Sequence, residues 1–132
     1  MLDLEHVFKR TFKGVSQVVA RQRIEAALKA EGFGVLTEID VTATLKAKLN
    51  VDFPDYLILG ACNPALAHQA LSVDPGIGLL LPCNVVIRQN AGDAVVSILD
   101  PEVMLKVVPH AERIEGPMRE ARDGLQRALA TA

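Results

Sequence analysis

The chain has 132 residues, half of them hydrophobic and 23% charged, with a formal net charge of −2, two cysteines, one tyrosine and no tryptophan. That length and apolar content exclude a disordered chain and allow one domain, expected over 1–132, to build a core without disulfides or metals. The acidic balance and the scarcity of aromatic rings exclude both the positive field and the stacking platform on which nucleic-acid binding depends.

The opening residues Met1 to His6 are acidic and lack the basic-then-apolar order of a signal peptide. Val7 to Phe12 reads as a first strand. Gly14 breaks the chain, Ser16 is placed to cap a helix, and Gln17 to Glu31 carries Ala20, Ile24, Ala27 and Leu28 on one stripe, with Gly32 as its stop. Phe33 to Val41 alternates, predicting a second strand with Phe33, Val35, Thr37, Ile39 and Val41 on one face. Asp40 or Thr42 caps a short helix that Asn50 ends, and Phe53-Pro54-Asp55 is a loop.

Tyr56 to Ala61 is apolar on both faces and predicts a strand central to the sheet. Pro64 to Leu71 reads as a helix ended by the Asp74-Pro75-Gly76 turn, and Ile77 to Arg88 as an apolar strand run interrupted by Pro82. The Asn90–Asp93 turn joins that run to Ala94–Leu99 as a β-hairpin. Asp100-Pro101 starts a short helix that Pro109 breaks, and a last helix carries Met118, Ala121, Leu125 and Ala128 inward. The order β-α-β-α-β-α-β-β-α, closed by a hairpin, predicts an α+β fold rather than a doubly wound one. The longest uninterrupted apolar run, Leu79 to Cys83, is too short to span a bilayer, so a cytoplasmic, membrane-free protein with reduced thiols is expected.

Four segments carry a resemblance: "GFGVLTEIDVTATLKAKL" (32–49), "LGACNPALAHQAL" (59–71), "GLLLPCNVVI" (78–87) and "VSILDPEVML" (96–105). Together they resemble domain-of-unknown-function family 302, from about Val15 to the C-terminal helix. The resemblance implies a curved, mostly antiparallel sheet with helices on one face, similar to the TATA-binding-protein-like topology, and a homodimer. It implies no reaction and no cofactor.

Each cysteine is followed by asparagine, Cys62-Asn63 and Cys83-Asn84. Asn63 is a natural N-cap, and Pro64 both restricts it to extended backbone and occupies the first helical position. Cys62 therefore precedes a helix start, where the helix dipole is expected to lower its thiol pKa. Cys83 follows Pro82, which suggests a strand edge or bulge. If the two strands are neighbours, the thiols approach each other.

Three readings compete. In the first, a pocket beside the two Cys-Asn pairs or at a dimer seam binds a small ligand, with Asn63, Asn84, Cys62 and Cys83 lining it. In the second, Cys62 and Cys83 are catalytic or redox thiols and His68 orients or accepts a proton. In the third, the thiolates hold a soft metal or a haem. Against these stands the plain possibility that small cysteines are simply packed. Cys62-x5-His68 is not a zinc spacing, no metal ligand set is assigned, and "DPGIG" lacks the lysine of a P-loop.

Overall fold

The structure, a computed structural model, describes residues 5–132; the Met1–Leu4 stretch read above for signal-peptide order lies outside the described residues. The chain forms strand β1 (Val7–Phe12), helix α1 (Gln17–Ala30), β2 (Gly34–Asp40), α2 (Val41–Leu49), β3 (Tyr56–Cys62) and α3 (Pro64–Val73). A 3₁₀ segment (Pro75–Leu80) leads to the hairpin β4 (Cys83–Asn90) and β5 (Asp93–Leu99), then two more 3₁₀ segments (Pro101–Lys106, Ala111–Arg113) and α4 (Glu115–Thr131). The strands make one sheet in the order β1-β5-β4-β3-β2, with every neighbouring pair antiparallel. The expected α+β class and element order are both present.

Local chemistry explains most boundaries. The Ser16 hydroxyl accepts from Val19 N at 3.3 Å to start α1, and Gly32 takes φ +83° just after its end. Asp40 accepts from Ala43 N at 2.9 Å to start α2, and Asn50, at φ 53°, stops it. The two-residue Ala91-Gly92 turn closes the hairpin between the paired Asn90 and Asp93.

One sheet face is packed. Leu57, Leu59 and Ala61 of β3, Val85 and Ile87 of β4, and Ala94, Val96 and Ile98 of β5 form the main core. Ala20, Ile24 and Leu28 of α1 and Ala121, Leu125 and Ala128 of α4 close over them. A smaller cluster, Ala70, Ile77, Met104, Ile114 and Met118, joins α3, two 3₁₀ segments and α4. This second cluster stands behind the candidate site.

Three expectations need correction. The alternation through β2 is broken: Val35 pairs with Ala61 and Thr37 with Gly60, so Leu36 is an extra residue in a bulge. Phe33 and Val35 therefore turn inward, while Leu36 and Ile39 are 65% and 51% exposed. β3 is interior, but the middle strand is β4. The largest change is at 77–82: expected as the start of a strand, these residues are not strand. The Asp74 carboxylate accepts from Gly76 N at 2.8 Å and Pro75 takes the first position, so the chain winds into a 3₁₀ segment. Cys83 is thus the first residue of β4, and Pro82 precedes the strand instead of interrupting it.

Candidate functional site

The end of β3 and the start of β4 lie side by side, with Ala61 opposite Cys83 and Gly60 opposite Asn84. Close approach is built in at Gly60: a Cβ there would stand 2.6 Å from Pro82 Cγ and would also collide with the Thr37 hydroxyl. Glycine is what lets the Pro82 ring fold down over β3. Asn63 caps α3 as expected, its Oδ1 accepting from Leu66 N at 3.3 Å. Its amide nitrogen also lies against Gly32, at 3.1 Å from where a Cβ would be.

The two cysteines are neighbours in the sheet but are offset by one residue. Side chains alternate along a strand, so Cys83 shares the core face with its partner Ala61 while Cys62 is turned the other way. Cys83 accordingly packs against the main core, both residues are half-buried, and both thiols are free.

Burial raises both thiols. Cys62 is shifted upward by desolvation, and Cys83 is pushed up to about 11, first by desolvation and then by the charge of Cys62. The Cys62 thiol, expected to be lowered by the α3 dipole, is instead shifted upward, and the cause is loss of water around the sulfur. The sign for stability follows. A thiol that ionises near ~8.5 when unfolded, and near about 11 when folded, stabilises the fold below ~8.5 and loses that contribution as pH rises towards 11. Cys83→Ala is expected to flatten this alkaline loss by about 2 kcal/mol. Urea unfolding near neutral pH and again at about pH 10 measures it. Equal pH slopes in the two proteins would refute the shift.

His68 is exposed on α3, whose buried residues are Leu66 and Ala70. Its carbonyl accepts from the Ser72 hydroxyl at 2.7 Å, and its ring lines neither of the cavities beside the cysteines. No group of three or more His, Cys, Asp or Glu residues converges on a metal position among the described residues.

Two cavities meet at Cys83. An open groove of about 370 Å³ runs between the segment Leu79–Asn84 and the residues Leu99, Pro101, Val103, Met104 and Val107. Behind it lies a void of about 20 Å³ that reaches Cys62, Asn63, Leu66 and Met118. Leu81, Cys83, Pro101 and Met104 belong to both walls. The inner void has room for about one water, so of the two cavities beside the cysteines the groove is the one that can take a ligand. The four nominated residues are thereby divided: Cys83 and Asn84 line the groove, Cys62 and Asn63 only the void. Sequence reading missed Leu79, Val103, Met104 and Val107. Their one local signal was the Asp100-Pro101 start, which fixes the segment that carries Val103 and Met104 and ends just before Val107.

A family model described as "Domain of unknown function DUF302" matches residues 8–132. The fold is similar to the crystal structure of an uncharacterized conserved protein DUF302 from Bacillus stearothermophilus. The two share 26% identity and a TM-score of 0.86, over 97% of this chain and 98% of that one. The comparison with curated proteins gave no match. Among the described residues, no helix is long and apolar enough to cross a membrane.

Proposed function

The chain belongs to the DUF302 family of domains of unknown function, and from that premise we propose that it is a dimeric small-ligand-binding module whose site is the groove beside Cys83 and Asn84. The observation that carries this reading is the groove itself. Its volume of about 370 Å³ falls within the ~300–1,000 Å³ of ordinary ligand sites. Its wall is aliphatic with one amide, Asn84, at the rim, which is the usual pattern of an apolar site with a single orienting polar group. The thiol-enzyme alternative lacks comparable support, because burial holds both sulfurs in the protonated form.

The test is to fill the groove. Val103→Trp is expected to remove the rise in melting temperature that a hit from a small-molecule screen gives the unaltered protein. That rise corresponds to about 2.7 kcal/mol at a ligand concentration of 100 Kd. Circular dichroism checks that the variant is folded. A screen without hits, or hits that Val103→Trp leaves untouched, would end the reading.

The dimer is supported by the edge strand β2. Leu36 and Ile39 on it are more than half exposed, and the following segments add Leu49 at 65%, Val51 at 44% and Phe53 at 44%. An unpaired edge with apolar side chains is a surface that a second chain can cover. Sedimentation equilibrium is expected to give twice the 14.2 kDa chain mass, and Leu36→Lys with Ile39→Lys to return the protein to that mass. A monomer in the unaltered protein rejects the dimer.

A further inference from the structure

Resting on the groove reading above, we infer that the ligand is a free single-chain aliphatic carboxylate, with its chain in the groove and its carboxylate at Lys106 and His6. The wall consists of Leu, Pro, Val, Met and Cys side chains and one Asn, with no aromatic ring and no charge. A planar aromatic ligand would find nothing to stack on, whereas a flexible hydrocarbon chain needs only apolar contact. The mouth leaves much apolar surface in water: Leu79 is 91% exposed, Val107 65%, Leu99 42% and Leu80 40%. A chain lying there would cover it.

A cation for the charged end stands next in the chain to the wall. Lys106 lies between the wall residues Met104 and Val107, and its Nζ is 2.7 Å from Nε2 of His6. His6 is held beside the groove by its carbonyl, which accepts from Asp100 N at 2.8 Å. The next residue, Val7, pairs with the wall residue Leu99. The ammonium and the imidazole touch, and neither has a carboxylate against it among the described residues. Of the acidic groups nearby in sequence, Asp100 and Glu102 face the α4 arginines, and Glu5 is exposed. Lys106 Nζ donates to His6 Nε2, which steers the ammonium, and a ligand carboxylate would accept a charge-assisted bond from the remaining ammonium hydrogens at one end of an apolar track. The net charge of −2 opposes the alternative that this surface docks on an anionic bilayer.

The experiment is calorimetric titration of the full chain with decanoate, 1-decanol and 4-phenylbutyrate, all below their aggregation limits. Decanoate is expected to bind about tenfold more tightly than decanol, a difference of ~1.4 kcal/mol, and phenylbutyrate not to bind measurably. Lys106→Met and His6→Ala should each weaken decanoate and leave decanol unchanged, and Val103→Trp should remove both. If decanol equals decanoate and Lys106→Met changes neither, the carboxylate site is wrong while the groove stands. If screen hits bind in the groove but no alkyl chain does, the ligand class is wrong. If Val103→Trp leaves decanoate binding intact, the inference and the groove fall together. Sedimentation with phosphatidylglycerol vesicles without decanoate binding would overturn the inference in favour of a membrane surface.

Discussion

Truncating Leu59 to alanine is expected to lower the unfolding free energy by about 3 kcal/mol, the middle of the range for emptying a buried leucine site. Leu59 is wholly buried on the core face of β3, directly across from Val85 of β4, under the layer formed by α1 and α4. Strands on both sides hold its backbone in place, so the surroundings can collapse only partly into the space. A loss of this size is a large fraction of the ~5–15 kcal/mol that holds a domain together. The control is Val18→Ala on the outer side of α1, where the side chain is 64% exposed. It should move stability by no more than ~0.5 kcal/mol. Urea unfolding of both variants provides the comparison. A Leu59→Ala cost below ~1 kcal/mol would mean that β3 is not anchored as described. Because β3 runs directly into Cys62 and the Asn63 cap, that outcome would also undermine the placement of the site.

The parts of this architecture that were legible in the sequence are those encoded within a few residues. Ser16, Asp40, Asn63-Pro64 and Asp100-Pro101 each carry the chemistry of a helix start, and each starts a helical segment in the structure. The stripe through Ala20, Ile24 and Leu28 is buried because helical spacing dictates it. The bulge at Leu36 escaped because the local alternation looks regular, and only the register against Ala61 and Gly60 exposes the extra residue. The run from Ile77 to Pro82 misled for a related reason. Its apolar content suits a strand, but Asp74 and Pro75 are the cap and first residue of a 3₁₀ segment, and that cue outranks hydrophobicity. Whether the cysteines lie on neighbouring strands was open in the sequence, and only the pairing of Ala61 with Cys83 answers it. Their one-residue offset and the burial that raises their pKa depend on pairing and packing that no local pattern encodes. The groove was invisible for the same reason, since it exists only where Leu79–Leu81 meets Met104 and Val107.

The wall of that groove hangs on Asp100, and replacing this residue is the second change with a large expected effect. Asp100 is the buried charged residue among those described, at 6% exposure. One carboxylate oxygen accepts from Glu102 N at 2.9 Å and starts the segment Pro101–Lys106. The other lies 3.4 Å from Arg122 Nε, a buried nitrogen with no hydrogen-bond partner among the described residues and only Glu102 as a further nearby carboxylate, 3.8 Å from Nη1. Asp100→Ala removes the cap and leaves the arginine with little compensation. Loss of one partner of a buried pair costs ~3–5 kcal/mol. Because the Arg122 side chain is 38% exposed, water recovers part of that, and the expected loss is about 2 kcal/mol. Asp100→Asn keeps an oxygen for Glu102 N but not the charge, so it should fall between the two, at about 1 kcal/mol. Adding Arg122→Met to Asp100→Asn removes the uncompensated cation and should restore part of the stability, since an apolar replacement of an ion pair can be neutral or better. In all three variants the wall residues Pro101, Val103 and Met104 are carried by the affected segment, and Val107 follows directly after it. Binding in the groove should therefore weaken in the order in which stability falls: Asp100→Ala most, then Asp100→Asn, with the double variant nearer the unaltered protein. Thermal unfolding gives the first order and ligand titration the second. Agreement between them makes Asp100 the anchor of the groove, and a stability loss without any change in binding shows that the wall holds its shape independently of this carboxylate.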